Sequence, residues 1–172
     1  VNNFPSSDGI VTRHSYVGSI GTGSIARTTT LAHEVGHWLN LRHVWGNSND
    51  ANLPSNCNTD DNVSDTPLTI GWTSCDPNAV ICGSLDNVEN YMDYAGCRKM
   101  FTEGQKTRML AALSSGTAQR NNLWQPNTLA ATGTDGPDIL CSADLSADFN
   151  VICAGDSIVF TDESFNGVTG WD

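Results

Sequence analysis

Apolar residues between Ile25 and Asn40 fall at Leu31, Val35, Trp38 and Leu39, spacings of three and four that lay one stripe along a helix. The stripe predicts a helix over 25–40 packed on that face. Upstream, a turn at Ser6-Ser7-Asp8-Gly9 leads into Ile10-Val11-Thr12-Arg13-His14-Ser15-Tyr16-Val17, which is β-branched and aromatic enough to predict a strand. Gly18, Gly21 and Gly23 then loosen the backbone. After Gly46 the periodicity fades, and as far as Thr73 the chain is rich in Asn, Asp, Ser and Pro. So long a loop must be held by something other than its own core. Order returns at Thr102-Glu103-Gly104-Gln105, a capping box that opens a helix with Met109, Leu110 and Leu113 inward and its end near Gly116. Pro126 to Asp138 has the composition of a linker, and beyond it Ala147-Asp148-Phe149 and the run Cys153 to Asp162 alternate as strands do across a Gly-Asp turn. The expected organisation is therefore α+β, with a first unit over 1–125, a linker over 126–140 and a second unit over 141–172.

Charge narrows the function classes. The chain of 172 residues carries a formal charge of −11 and only two lysines, so a phosphate backbone is repelled and nucleic-acid binding is not expected. No apolar run approaches the length of a membrane span. Six cysteines, Cys57, Cys75, Cys82, Cys97, Cys141 and Cys153, include no C-x2-C pair and predict disulfides and an oxidising compartment rather than thiolate metal sites. Val1 follows neither a start Met nor a signal peptide, so an export signal is expected outside these residues.

The chemistry concentrates in His33-Glu34-Val35-Gly36-His37-Trp38-Leu39-Asn40-Leu41-Arg42-His43, which holds three of the four histidines of the chain. His33 and His37 stand i, i+4 and share one helix face, where both imidazoles can close on a single ion. His43 cannot reach that face from a continuous helix, so a sharp turn is expected, placed at Asn40 because Asn enters the left-handed region more readily than other residues with a side chain. Three histidines with an open fourth position fit a catalytic rather than a structural zinc, and Glu34 beside it fits a general base. His14, on the predicted strand without a spaced partner, reads as a surface or hydrogen-bonded histidine.

The string H-E-x-x-H-x5-H within HEVGHWLNLRHVWG resembles the signature of the metzincin metallopeptidases, and most of all their pappalysin family; Asn40 stands where that pattern usually has Gly. The resemblance implies a zinc endopeptidase in which His33, His37 and His43 hold the metal and Glu34 is the base. Val88-Glu89-Asn90-Tyr91-Met92-Asp93-Tyr94 resembles the family's Met-turn, which implies Met92 as an apolar base under the histidines and Tyr94 as a stabiliser of the oxyanion. The strand over 10–17 would be the edge strand that pairs with extended substrate, the rest of the upper subdomain lying outside the chain. The segment 57–67 resembles a calcium-binding loop, implying Ca2+ at Asp61, Val63, Asp65 and Thr66; an Asx-rich turn reads equally well from the residues. The first four cysteines allow three pairings, and the resemblance favours Cys57 with Cys82 and Cys75 with Cys97; Cys141 with Cys153 is the third expected pair.

Residues from Cys141 onward resemble the opening strands of a PKD-type (polycystic-kidney-disease-type), Ig-like β-sandwich, too short to close. A secreted, monomeric enzyme acting on protein or peptide substrates is expected. The rival from another class is a catalytically inactive metal-binding adhesion module. Pappalysins that prefer Arg or Lys after the scissile bond carry acids just past the Met-turn, where this chain has Arg98 and Lys99, so a pocket open to neutral or acidic side chains is expected unless Asp93 or Asp86 lines it.

Overall fold

The computed structural model describes residues 8–19, 21–24, 27–134, 145–148, 155 and 157–162. By internal contacts the chain forms two units, Val1–Leu123 and Trp124–Asp172. In the first, helix α1 spans Thr30–Trp38 and helix α2 spans Glu103–Leu113. Between them the backbone is irregular, with one 3-10 turn over Pro54–Asn58 and isolated bridges such as Asn90 with Met100.

The segment predicted as a strand over 10–17 is not one: His14–Tyr16 form a 3-10 turn and Val11 is 98% exposed. β-branched residues favour a strand only where a neighbour supplies the ladder and a surface to pack on, and no described residue pairs with this segment. His14 instead shares a hydrogen bond of 2.7 Å with Thr22 Oγ1.

α1 is shorter than predicted, and its inward face is shifted. Leu31 is exposed, while His33, Gly36 and the capping residue Leu39 are buried. α2 carries the full capping box: Thr102 accepts from the Gln105 N–H, and the Gln105 side chain accepts from the Thr102 N–H. Met109 packs against the core as expected, but Leu110 faces solvent, its place on the buried face taken by Gln105 and Ala112.

Among the described residues, two small apolar clusters stand in place of a single large core. One joins Leu41, Val44, Trp45 and Met92, with Tyr94, Phe101 and Met109 against it. The other joins Ala79, Val88 and Ala95 with Trp72. Gly71, at φ 76°, lies flat on the Trp45 ring, where any side chain would enter the indole. Polar ties hold the long loop to this frame: Asn56 Nδ2 donates to the carbonyls of Asp50 and Ile70, and Thr59 Oγ1 to that of Trp45. Disulfides Cys57–Cys82 and Cys75–Cys97 add covalent limits on the unfolded chain.

In the second unit, the stretch with linker composition opens with a helix, α3 over Pro126–Thr132, started by proline at its first turn and ended by Gly133 in the left-handed region. Strands β1 (Leu145–Ala147) and β2 (Phe160–Asp162) pair antiparallel with Ser146 opposite Thr161. Cys141 and Cys153 lie outside the described residues.

Candidate active site

α1 ends in a tight reversal that brings the third histidine back to the first two. Asn40 takes φ 71°, its N–H bonds the His37 carbonyl at 3.0 Å, and the Leu41 N–H bonds the Gly36 carbonyl at 2.9 Å. These are the two bonds of a Schellman cap, with Asn40 at the left-handed position. Arg108 of α2 secures the turn from outside, donating from Nε to the Asn40 carbonyl at 2.7 Å. Nothing in the sequence pattern singled out Arg108, because its acceptor is a backbone carbonyl that every residue carries.

The three imidazoles converge. His37 Nε2 lies 3.0 Å from His33 Nε2 and 3.1 Å from His43 Nε2. On the far side of each ring, Nδ1 meets a carbonyl: Tyr91 at 2.6 Å from His33, Leu41 at 3.0 Å from His37, Ser48 at 2.8 Å from His43. A carbonyl only accepts, so each Nδ1 carries the proton and each Nε2 presents a bare lone pair. Protonation does not relieve the crowding. Burial lowers His33 to about 3 and His43 to about 4, with the neighbouring His37 acting in the same direction. Three bare nitrogens at such distances repel one another unless a cation lies between them. Tetrahedral bonds of about 2.0–2.1 Å to zinc would set the nitrogens roughly 3.3–3.4 Å apart, within a few tenths of the spacing here. Among the described residues, these histidines are the one group of three or more His, Cys, Asp or Glu side chains whose ligand atoms lie close enough to share an ion.

The Met-turn segment forms the floor. Met92 is fully buried, and its sulfur lies so close to α1 that a Cβ on Gly36 would overlap it. Asn90 and Gln105 exchange amide hydrogen bonds at 2.8 and 3.1 Å, and Asn90 Oδ1 also accepts from the Met92 N–H at 2.9 Å, so Gln105 in the first turn of α2 holds the floor in place. Asp93 Oδ1 accepts from the N–H groups of Trp72, Tyr94 and Ala95, while its Oδ2 is buried without a hydrogen-bond partner. Burial raises its pKa to about 6.

An open cleft of about 610 Å³ lies over the histidines, lined by Thr30, His33, Glu34, His37, His43, Asn49, Tyr94 and Arg98. Glu34 reaches it from α1. The Tyr94 ring stands 4.9 Å from His43 and 5.6 Å from His33, and burial, then the Glu34 carboxylate, raise its hydroxyl above the ordinary tyrosine pKa. Trp45 stacks on His43 at 4.5 Å with 5° between planes, fixing that ring. Sequence reasoning missed Thr30 and Asn49, which no motif marks. Asp86 is not in the cleft; its Oδ2 accepts from Trp72 Nε1 at 2.9 Å.

Of the residues assigned to calcium, Asp65 lies against the N-terminus of α2. Asp65 Oδ1 accepts from Thr102 Oγ1 at 2.7 Å and its Oδ2 from the Gly104 N–H at 2.8 Å. Asp61 is buried; its Oδ1 accepts from Val63 N–H and Thr66 Oγ1 while Oδ2 has no partner.

A helix offering two histidines and a carboxylate, a reversal returning a third histidine, and a methionine floor together make a candidate metal centre. The family model Peptidase_M43, described as pregnancy-associated plasma protein-A, matches residues 2–114, and the chain belongs to that family. It is similar to an extracellular metalloprotease of Arthroderma otae, 36% identical over 110 residues that cover 61% of this chain and 38% of that protein. It is also similar to the extracellular metalloprotease NCU07200 of Neurospora crassa, 38% identical over 98 residues, 54% of this chain and 31% of that one. Among solved structures, mature mirolysin of Tannerella forsythia in complex with a cleaved peptide superposes with a TM-score of 0.59 at 29% identity, covering 79% of this chain and 53% of that one. The chain thus spans little more than a third of the length of the curated relatives it matches.

Proposed function

We propose that the protein of which this chain is the metal-binding part is a secreted zinc endopeptidase. The observation that carries the proposal is the trio of bare Nε2 atoms, 3.0 and 3.1 Å apart, on the floor of an open cleft that Glu34 shares. His33, His37 and His43 would hold zinc, which would supply Lewis-acid polarisation of a scissile carbonyl and a water made nucleophilic at neutral pH. Glu34, one residue after the first histidine, is placed to accept the proton of the attacking water and to pass it to the departing amine. Tyr94 keeps its proton and offers it as a hydrogen bond to the oxygen that gains charge. The cleaved peptide in mirolysin supports peptide substrates, and the name of the fungal relatives together with two disulfides supports export. The adhesion-module alternative loses support from the same relatives and from a centre with three protein ligands rather than four. The test is metal analysis and peptide cleavage by the full-length protein and by His37→Ala. One zinc per wild-type molecule, lost together with cleavage in the variant, is expected; a His37→Ala protein that keeps full zinc would refute the assignment.

Structural calcium at the Asp61–Thr66 loop belongs to the same proposal. A buried carboxylate with an unpartnered oxygen needs a cation or a proton, and burial raises Asp61 to about 6, so both remain in competition near neutrality. Millimolar calcium should raise the melting temperature of the zinc-loaded wild type and leave Asp61→Asn unmoved; equal shifts in both proteins would remove calcium from this loop. For the second unit, the antiparallel pairing of β1 and β2 supports the opening of a PKD-like sandwich.

A further inference from the structure

We infer that Arg98 recognises a carboxylate on the peptide beside the bond to be cut, so that this cleft selects acidic substrates; the inference rests on the peptidase reading above. Arg98 lines the cleft with the three histidines, Glu34 and Tyr94, and is the one Lys or Arg among the described lining residues. Its place is fixed, because Nη1 donates to the Asp93 carbonyl at 3.1 Å, one residue beyond the Met92 floor. Its charge has no contact ion pair, although the Asp93 carboxylate attracts it from farther off. No carboxylate of the described residues lies within ion-pair distance of it, and its Nε is buried without a hydrogen-bond partner. Of the acids nearby, Glu89 pairs with Lys99 at 2.6 Å, and Asp93 Oδ1 accepts from three backbone N–H groups while its Oδ2 stays beyond ion-pair distance of Arg98. Lys99 itself is mostly exposed and does not line the cleft.

A half-buried guanidinium with one carbonyl partner and no contact carboxylate loses hydration that is only partly replaced, and it recovers more of the difference when a ligand supplies a carboxylate. Its planar fork matches a carboxylate in a two-pronged geometry that neither an amide nor a hydroxyl reproduces. The carboxylate can come from an Asp or Glu side chain or from a free C-terminus; Lys and Arg side chains meet repulsion at the same point. Glu34 opposes an incoming anion, which places the binding position at the Arg98 end of the cleft rather than over the histidines.

The test uses full-length, zinc-loaded protein and short peptides identical except for Glu, Gln or Lys flanking the cleaved bond, each with a free and an amidated C-terminus. Dissociation constants are measured on Glu34→Gln, which holds peptides without turning them over, and kcat/KM on the protein with Glu34 intact. Arg98 should favour Glu over Gln by about 10- to 100-fold, the span of a hydrogen bond to a charged group. Arg98→Gln should bring the ratio to near one, Arg98→Glu should favour Lys, and Arg98→Lys should retain part of the preference, with zinc content unchanged in each. A preference that survives amidation assigns the side chain; one that vanishes assigns the C-terminus. Equal affinity for Glu and Gln peptides, or a preference undiminished in Arg98→Gln, would overturn the inference. Cleavage without acid preference leaves the peptidase reading standing and removes this one, whereas acid-selective binding without any cleavage does the reverse.

Discussion

Gly36 offers a test of how the floor meets the active-site helix. In a helix interior, Gly→Ala ordinarily stabilises by about 0.8–1 kcal/mol, because Ala surrenders less backbone entropy. At this position a Cβ would overlap Met92 Sδ and stand 3.3 Å from Phe101 Cε1 and 3.4 Å from Met92 Cε. Met92 is fully buried among Leu41, Val44 and Trp45, so its side chain has no free space to retreat into. Overpacking of this kind costs about 1–3 kcal/mol. Subtracting the propensity gain leaves Gly36→Ala destabilised by about 1 kcal/mol, a fall of roughly 2–4 °C in melting temperature for a domain of this size. Truncating the partner should reverse the sign: in a Met92→Ala background, Gly36→Ala should stabilise by about 0.5–1 kcal/mol. The difference is a coupling energy of about 2 kcal/mol, read by thermal or urea melts of four zinc-loaded proteins. A Gly36→Ala protein stabilised equally in both backgrounds would show that Met92 does not press on the helix.

Asn40→Gly should raise stability by a few tenths to about 1 kcal/mol, since φ 71° is strained for a side chain, and Asn40→Val should lower it by more than that; melting curves decide. Asp93, raised to about 6 by burial, contributes stability that is full below its unfolded value near 3.8 and is lost as pH rises through about 6. Asp93→Asn, which keeps an acceptor for the three N–H groups, should flatten the melting temperature between about pH 4 and 7, and a profile parallel to wild type would count against the buried charge. Removing the Cys57–Cys82 bridge, whose ends stand 25 positions apart, should cost about 3–4 kcal/mol by loop entropy, visible as a lower denaturation midpoint in Cys57→Ser/Cys82→Ser.

The parts of the site that were legible in the sequence are those where chemistry dictates spacing. His33 and His37 must stand one turn apart to share an ion, Asn40 is one of few residues able to reverse the chain, and Thr102 with Gln105 announces a helix start. Failures cluster where a residue's state depends on what covers it. Ile10–Val17 has strand propensity but no described partner, and Leu31 and Leu110 sit at helical spacings with no surface packed over them. The buried half of each helix went to Gly36 and Gln105, a close approach and a polar network that periodicity does not register. The acceptors that orient the histidines, the carbonyls of Tyr91, Leu41 and Ser48, carry no sequence signal at all.

The measurement closest to the central claim compares full-length wild type with Glu34→Gln for zinc content and for turnover of a peptide library. Glu34 shares the cleft but is not among the converging ligands. Both proteins should therefore hold one zinc, while the variant loses about 10²- to 10⁴-fold in rate, the usual worth of a general base. Equal turnover by the two proteins, or loss of zinc from Glu34→Gln, would contradict the account.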